Sequence, residues 1–171
     1  MAKQYEPLAI ANYFIKRGIA ERRHLTQMQI HKLVYFAHAW ALGIYREPLL
    51  TQSVEAWKYG PVVRSLYHTL KIYGARPISR PVEGLTWNEQ MEAPDVDPTD
   101  DRTIRLLDRI WDVYGHLSAV ALSQISHERG GPWDNTFKTA DGEHSAIIPE
   151  SAMTDFFGAK ARNNAQRRAN T

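Results

Sequence analysis

The sequence of 171 residues contains no cysteine. That absence removes disulfide frameworks, cysteine-based zinc ribbons and thiol nucleophiles together. No apolar run approaches the roughly 18–20 residues that a membrane span requires. The opening, Met1 to Pro7, lacks the basic-then-apolar pattern of a secretory leader. A soluble, cytoplasmic protein with no membrane association is the expectation. Catalytic patterns are missing as well. No serine stands in a Gly-x-Ser-x-Gly turn, and Gly60-Pro61-Val62-Val63 has neither the glycines nor the Lys-Ser/Thr pair of a phosphate loop. His127-Glu128-Arg129-Gly130-Gly131 begins like a zinc-protease helix but has glycine where the second histidine ligand belongs. His31 and His38 are seven residues apart, wider than the i,i+4 spacing of a helical ligand pair. The expectation is a protein without catalytic residues, metal or cofactor, not an enzyme.

What is present is helical patterning. With 43% hydrophobic and 23% charged residues, the chain reads as one globular domain large enough to fold on its own core. Leu8, Ala11, Phe14 and Ile15 mark a first helix opened by Pro7 and stopped by Gly18. Thr26 with Gln29 is a capping box, and Ile30, Leu33, Val34, Ala37 and Ala41, widened by Phe36 and Trp40, form the stripe of a central helix ending at Gly43. After a connector with a short strand or turn at Val54–Tyr59, Pro61 is predicted to open a third helix carrying Val62, Val63, Leu66, Tyr67 and Leu70. Residues 77–98 hold Pro77, Pro81, Pro94 and Pro98 and read as a long loop, with room for a β-hairpin around Ile78–Trp87. Helices then follow from about residue 99, from Ser118, and from Pro149, separated by a polar stretch over 133–147. The fold class is mainly α, a compact single-domain bundle of about six helices. The domain spans residues 1–158, followed by a basic, flexible tail over 159–171.

The net charge of +2 hides a split. Residues 1–80 carry twelve basic and four acidic side chains, residues 81–159 five and fifteen, and residues 160–171 four and none. Such halves can pair internally or steer a charged partner. Lys16, Arg17, Arg22 and Arg23 cluster at the end of the first helix, and Lys160, Arg162, Arg167 and Arg168 can meet phosphates, so a nucleic-acid role stands as an alternative.

Four blocks carry a more specific signal. They are Leu8-Ala9-Ile10-Ala11-Asn12-Tyr13-Phe14-Ile15; Leu25-Thr26 with Met28 and Lys32-Leu33-Val34-Tyr35-Phe36-Ala37; Glu55-Ala56-Trp57-Lys58-Tyr59-Gly60-Pro61-Val62-Val63 with Tyr67; and Ser126-His127 with Pro132-Trp133, Ile148 and Phe156-Phe157. In this order they resemble the Panacea domain, the SocA-like antitoxin family of bacteria, phages and prophages. His31 stands where a glutamine is usual, and Gly130-Gly131 lengthens the spacing from His127 to Pro132. The resemblance implies a mainly helical antitoxin that neutralises a toxin encoded beside it by direct protein contact. It also allows a protease adaptor that delivers the toxin, and regulation of its own operon through DNA binding is the further alternative.

A contact antitoxin needs apolar anchors outside its core. The loop after the third helix offers Leu85, Trp87 and Met91 among Glu83, Glu89, Glu92, Asp95 and Asp97. Against this, Trp87 can fold back as a lid while the acids pair with the basic first half. Trp57, Tyr59, Gly60, Pro61 and Val62 form the second candidate surface, or else a tight structural turn on the core.

Overall fold

Pro7 opens α1 (Pro7–Ala20), and Thr26 caps α2 (Gln27–Tyr45). The chain then forms a tight hairpin of β1 (Glu55–Trp57) and β2 (Gly60–Val62), followed by α3 (Arg64–Leu70) and a 3-10 turn over Lys71–Tyr73. A second hairpin, β3 (Gly84–Leu85) and β4 (Met91–Glu92), precedes α4 (Asp101–Tyr114), α5 (Ala119–Ser126) and α6 (Pro132–Thr139). The last elements are β5 (Ala146–Ile147) and α7 (Glu150–Ala169). The computed structural model describes residues 2–85, 88–140 and 145–171. The architecture is mainly α. One three-stranded antiparallel sheet, ordered β2-β1-β5, lies beside the helices, and β3 pairs with β4 alone.

The central helix forms as its sequence predicts. Gln29 Oε1 accepts the Thr26 backbone N–H at 3.0 Å, while Gln29 Nε2 reaches across to the Leu117 carbonyl at 3.1 Å. Every residue from Ile30 to Ala39 is buried, because α1, α4, α5, α7 and β2 pack around this one helix. A helix apolar on nearly all sides is stable only when so enclosed. Aromatic rings fill the seams. Phe36 stacks on Tyr114 at 4.3 Å, and Trp40 Nε1 donates to the Tyr114 hydroxyl at 2.9 Å. Phe157 of α7 meets Trp40 edge-on at 5.2 Å.

Several expectations are corrected. Gly43 does not end α2; it lies where α7 crosses. A Cβ there would stand 2.6 Å from the Phe157 backbone, and Gly158 faces Gly43 from the other helix. Pro61 does not start α3. It sits in β2, an edge strand, where a missing amide is tolerated, and α3 begins at Arg64. The polar stretch 133–147 contains α6 and β5, so seven α-helices stand among the described residues. Pro132 at the first turn and the i,i+4 pair Trp133–Phe137, stacked at 4.7 Å, make α6. The hairpin in the acidic loop pairs Gly84–Leu85 with Met91–Glu92, later than Ile78–Trp87; Ile78 instead bridges Leu25. Residues 159–169 continue α7 rather than forming a separate tail. Ala159, Ala161, Ala165, Gln166, Arg167 and Arg168 are strong helix formers, and no glycine or proline follows Gly158.

Part of the charge split resolves internally. Lys16 pairs with Asp95, Lys3 with Asp97 at 2.8 Å, and Arg17 with Asp108. The basic end of α1 is thus partly neutralised.

Candidate functional site

The acidic hairpin is built on one buried asparagine. Asn12 of α1 donates through Nδ2 to the carbonyls of Val82 at 3.0 Å and Pro94 at 2.9 Å, and its Oδ1 accepts the Val82 N–H at 2.8 Å. A single side chain therefore ties both legs of the hairpin to the core. Gly84 passes so close to Leu8 that a Cβ would lie 2.7 Å from its methyl. Above this clamp, Leu85 is 72% and Met91 58% exposed. Asp95 and Asp97 are taken up by Lys16 and Lys3, whereas Glu83, Glu89 and Glu92 form no ion pair among the described residues. Trp87, the third apolar residue of this loop, lies outside the described residues.

The second candidate group divides by burial. Gly60, Pro61 and Val62 are buried and offer no side-chain surface, whereas Tyr59 at the turn is 67% exposed. Trp57 is half-buried: its Nε1 donates to Glu55 Oε2 at 2.6 Å, its ring meets Tyr67 edge-on at 4.8 Å, and the Arg64 guanidinium lies 5.6 Å from the ring centre. The two groups thus sit on different sheets, one at β3–β4 and one at β1–β2.

Beneath Tyr59 the structure gathers residues from three of the four sequence blocks. Trp133 of α6 donates through Nε1 to the Trp57 carbonyl at 2.8 Å and stacks on His127 at 3.8 Å. Asp134 accepts the Gly130 N–H at 2.8 Å and so closes the double-glycine turn between α5 and α6. The imidazole and Lys32 of α2 flank Gly60, whose φ of +118° is a glycine conformation. A Cβ at that position would stand 2.7 Å from Lys32 Nζ and 3.2 Å from His127 Nε2.

Lys32 is only 1% exposed. Among the described residues it has no hydrogen-bond partner and no carboxylate within ion-pair distance. Burial pushes its ammonium down to about 8. His31, next to it, is buried with both ring nitrogens unpartnered, and burial, then the Lys32 charge, holds it down at about 3. Burial first, then Lys32, also lowers His127, whose Nε2 has no partner. His38, two turns along α2, is a different case. Its Nδ1 accepts the Leu49 and Leu50 amides, both at 3.3 Å, so it serves the connector after α2, and burial holds it neutral. Lys32 and His127 were legible only as parts of motifs. The available signal was a lysine standing between Ile30 and Leu33 in a helix apolar on nearly every side.

This arrangement offers exposed apolar side chains on two hairpins and a buried lysine beside His127 inside a helical domain. Residues 30–134 match the family described as Antitoxin SocA-like, Panacea domain, and the chain belongs to that family. The match runs from the first turn of α2 to the start of α6 and contains both hairpins, Lys32, His127 and Trp133. The chain is also similar to Antitoxin SocA of Caulobacter vibrioides (strain NA1000 / CB15N), at 31% identity over 129 residues, covering 74% of this chain and 67% of that protein. No solved structure matches. No helix among the described residues is long and apolar enough to cross a membrane.

Proposed function

We propose that this protein is an antitoxin that neutralises a toxin encoded beside it by direct protein contact, acting as a binding module rather than a catalyst. Membership of the SocA-like family and the name of the Caulobacter relative support the antitoxin role. The observation that carries direct contact is the β3–β4 hairpin. It presents Leu85 and Met91 to solvent from a base fixed by Asn12, with Glu83, Glu89 and Glu92 around them forming no ion pair among the described residues. Exposed apolar side chains on a rigid base lose little entropy on binding, and an acidic rim steers a basic partner and speeds its encounter.

The test is coexpression with the product of the adjacent toxin gene. The wild-type chain is expected to rescue growth and to co-elute with the toxin. A Leu85→Asp, Met91→Asp double variant is expected to keep its melting temperature and lose rescue. A double variant that rescues as well as wild type would remove the hairpin from the interface. Rescue by wild type without any complex would overturn neutralisation by contact.

A further inference from the structure

A groove of about 800 Å³ lies between the end of α2, α4 and the outer half of α7. Its floor is apolar, with Trp40 and Ile44 from α2 and Ile110 and Val113 from α4. Ile44 is 48% and Val113 47% exposed. On the opposite wall Ala161 and Ala165, one turn apart on α7, are small and leave the groove open. From Arg162 to Ala169 every residue of α7 is exposed, so this half of the helix gains little from packing on its own molecule. The rim is basic. Arg109, Arg167 and Arg168 border the groove and form no ion pair among the described residues, whereas Glu128, the carboxylate of the lining, is taken up by Lys160 at 2.7 Å.

The same molecule carries the complement of this groove. Leu85 and Met91 are cross-strand partners in the β3–β4 hairpin, so their side chains leave one face of the ribbon together. Glu83, Glu89 and Glu92 surround them, exposed and without an ion pair among the described residues. Three free carboxylates around an apolar pair thus match three free guanidinium groups around an apolar floor. Asn12 fixes both legs of the hairpin to α1, and neither α1 nor the hairpin lines the groove. The hairpin can therefore enter the groove of another molecule and not its own. We propose that the groove is the docking site for the acidic hairpin of a second copy of this chain. A nucleic acid would meet the arginines but leave the floor of Trp40, Ile44 and Val113 without an apolar partner, so the groove suits a protein segment better. A contact of hairpin size belongs with the small, weak interfaces, below about 1,200 Å². Taken with the antitoxin reading above, on which this one consequence rests, self-association covers the hairpin that the toxin needs.

The experiment uses the purified chain alone, followed by sedimentation up to about 200 μM, where a Kd on the order of 100 μM is visible. The wild-type mass is expected to rise above the 19.6 kDa of one chain with concentration, and the association to weaken about tenfold in high salt. Two charge-reversed chains give the decisive arm. One carries Glu83→Arg, Glu89→Arg and Glu92→Arg, the other Arg109→Glu, Arg167→Glu and Arg168→Glu. Each alone sets like charges against each other and is expected to stay monomeric; mixed, they are expected to associate, because each hairpin again finds a groove of opposite charge. The Leu85→Asp, Met91→Asp variant is expected to be monomeric with an unchanged melting temperature. A wild-type chain that remains at the monomer mass throughout overturns the proposal, as does a mixture of the folded reversed chains that does not associate. A monomeric wild type that retards duplex DNA, with the arginine reversals abolishing the shift, overturns it in favour of nucleic acid. No toxin enters the measurement, so each of these failures leaves the antitoxin reading standing.

Discussion

Replacing Lys32 by methionine should make the protein more stable. Methionine follows the same unbranched path as the lysine stem and has no charge to desolvate. Burial lowers the Lys32 pKa from its ordinary 10.5 to about 8. At about 1.4 kcal/mol per pH unit, that gap means the folded state loses about 3 kcal/mol by holding the ammonium at neutral pH. The sign follows from proton counting. Between pH 8 and 10.5 the unfolded chain keeps the proton that the folded chain has released, so stability from this group rises with pH. The penalty is full below about pH 8 and gone above 10.5. Lys32→Met should therefore gain about 3 kcal/mol at pH 7, a rise of about 6–12 °C in melting temperature for a chain of this size. The gain should shrink as the pH is raised to 9.5. Urea denaturation of both proteins side by side at pH 7, 8, 9 and 9.5 gives the difference, in which the tyrosine titrations common to both cancel. A variant no more stable than wild type, or a difference that does not change with pH, would refute the reasoning.

Two further outcomes follow from other buried polar groups. His31 and His38 are held at about 3 and 4 against an ordinary 6.5, chiefly by burial, so each contributes stability that is complete above pH 6.5 and lost as the pH falls. The melting temperature should drop between pH 6.5 and 5, before the carboxylates titrate; a loss confined to pH values below 4.5 would contradict this. Asn12→Ala removes three hydrogen bonds from the base of the β3–β4 hairpin and leaves the buried Val82 amide unpaired, at a cost of about 2–4 kcal/mol. Hydrogen exchange should show faster exchange at Val82, and unchanged protection there would mean that the hairpin is held by something else.

The elements that the sequence announces are those whose signals are local. The Thr26–Gln29 box and the stripe from Ile30 to Ala41 lie within a few turns of each other, and α2 forms where they point. Ser118 and Asp100 likewise cap α5 and α4 through their own side chains. Gly43 misleads because a glycine that ends a helix and a glycine that admits another helix look alike until Gly158 is brought beside it. Pro61 misleads for a related reason: a fixed φ and a missing amide suit a helix start and an edge strand alike. The helix α6 depends on Trp133 stacking on His127 and docking on the Trp57 carbonyl, and the second contact lies far outside any local window. Of the two candidate surfaces, Leu85, Met91 and Tyr59 are exposed, whereas Gly60, Pro61 and Val62 are buried. The burial of Lys32 was hidden by its type, since a lysine in a motif reads as surface until the fold encloses it.

The crossing of α7 over α2 at Gly43 and Gly158 also orders assembly in time. During synthesis α2 leaves the ribosome long before α7 exists, and the aromatic face bearing Tyr35 and Trp40 has nothing to close it until Phe157 arrives. Joining two helices so distant along the chain is a slow, loop-closing step compared with forming either one. A newly made molecule therefore passes through an interval in which its helices exist but its central seam is open, and in that interval it is vulnerable to proteases and to aggregation. Under the antitoxin function proposed above, the rate of that closure, and not only the final stability, would set how soon each new copy counts as protection.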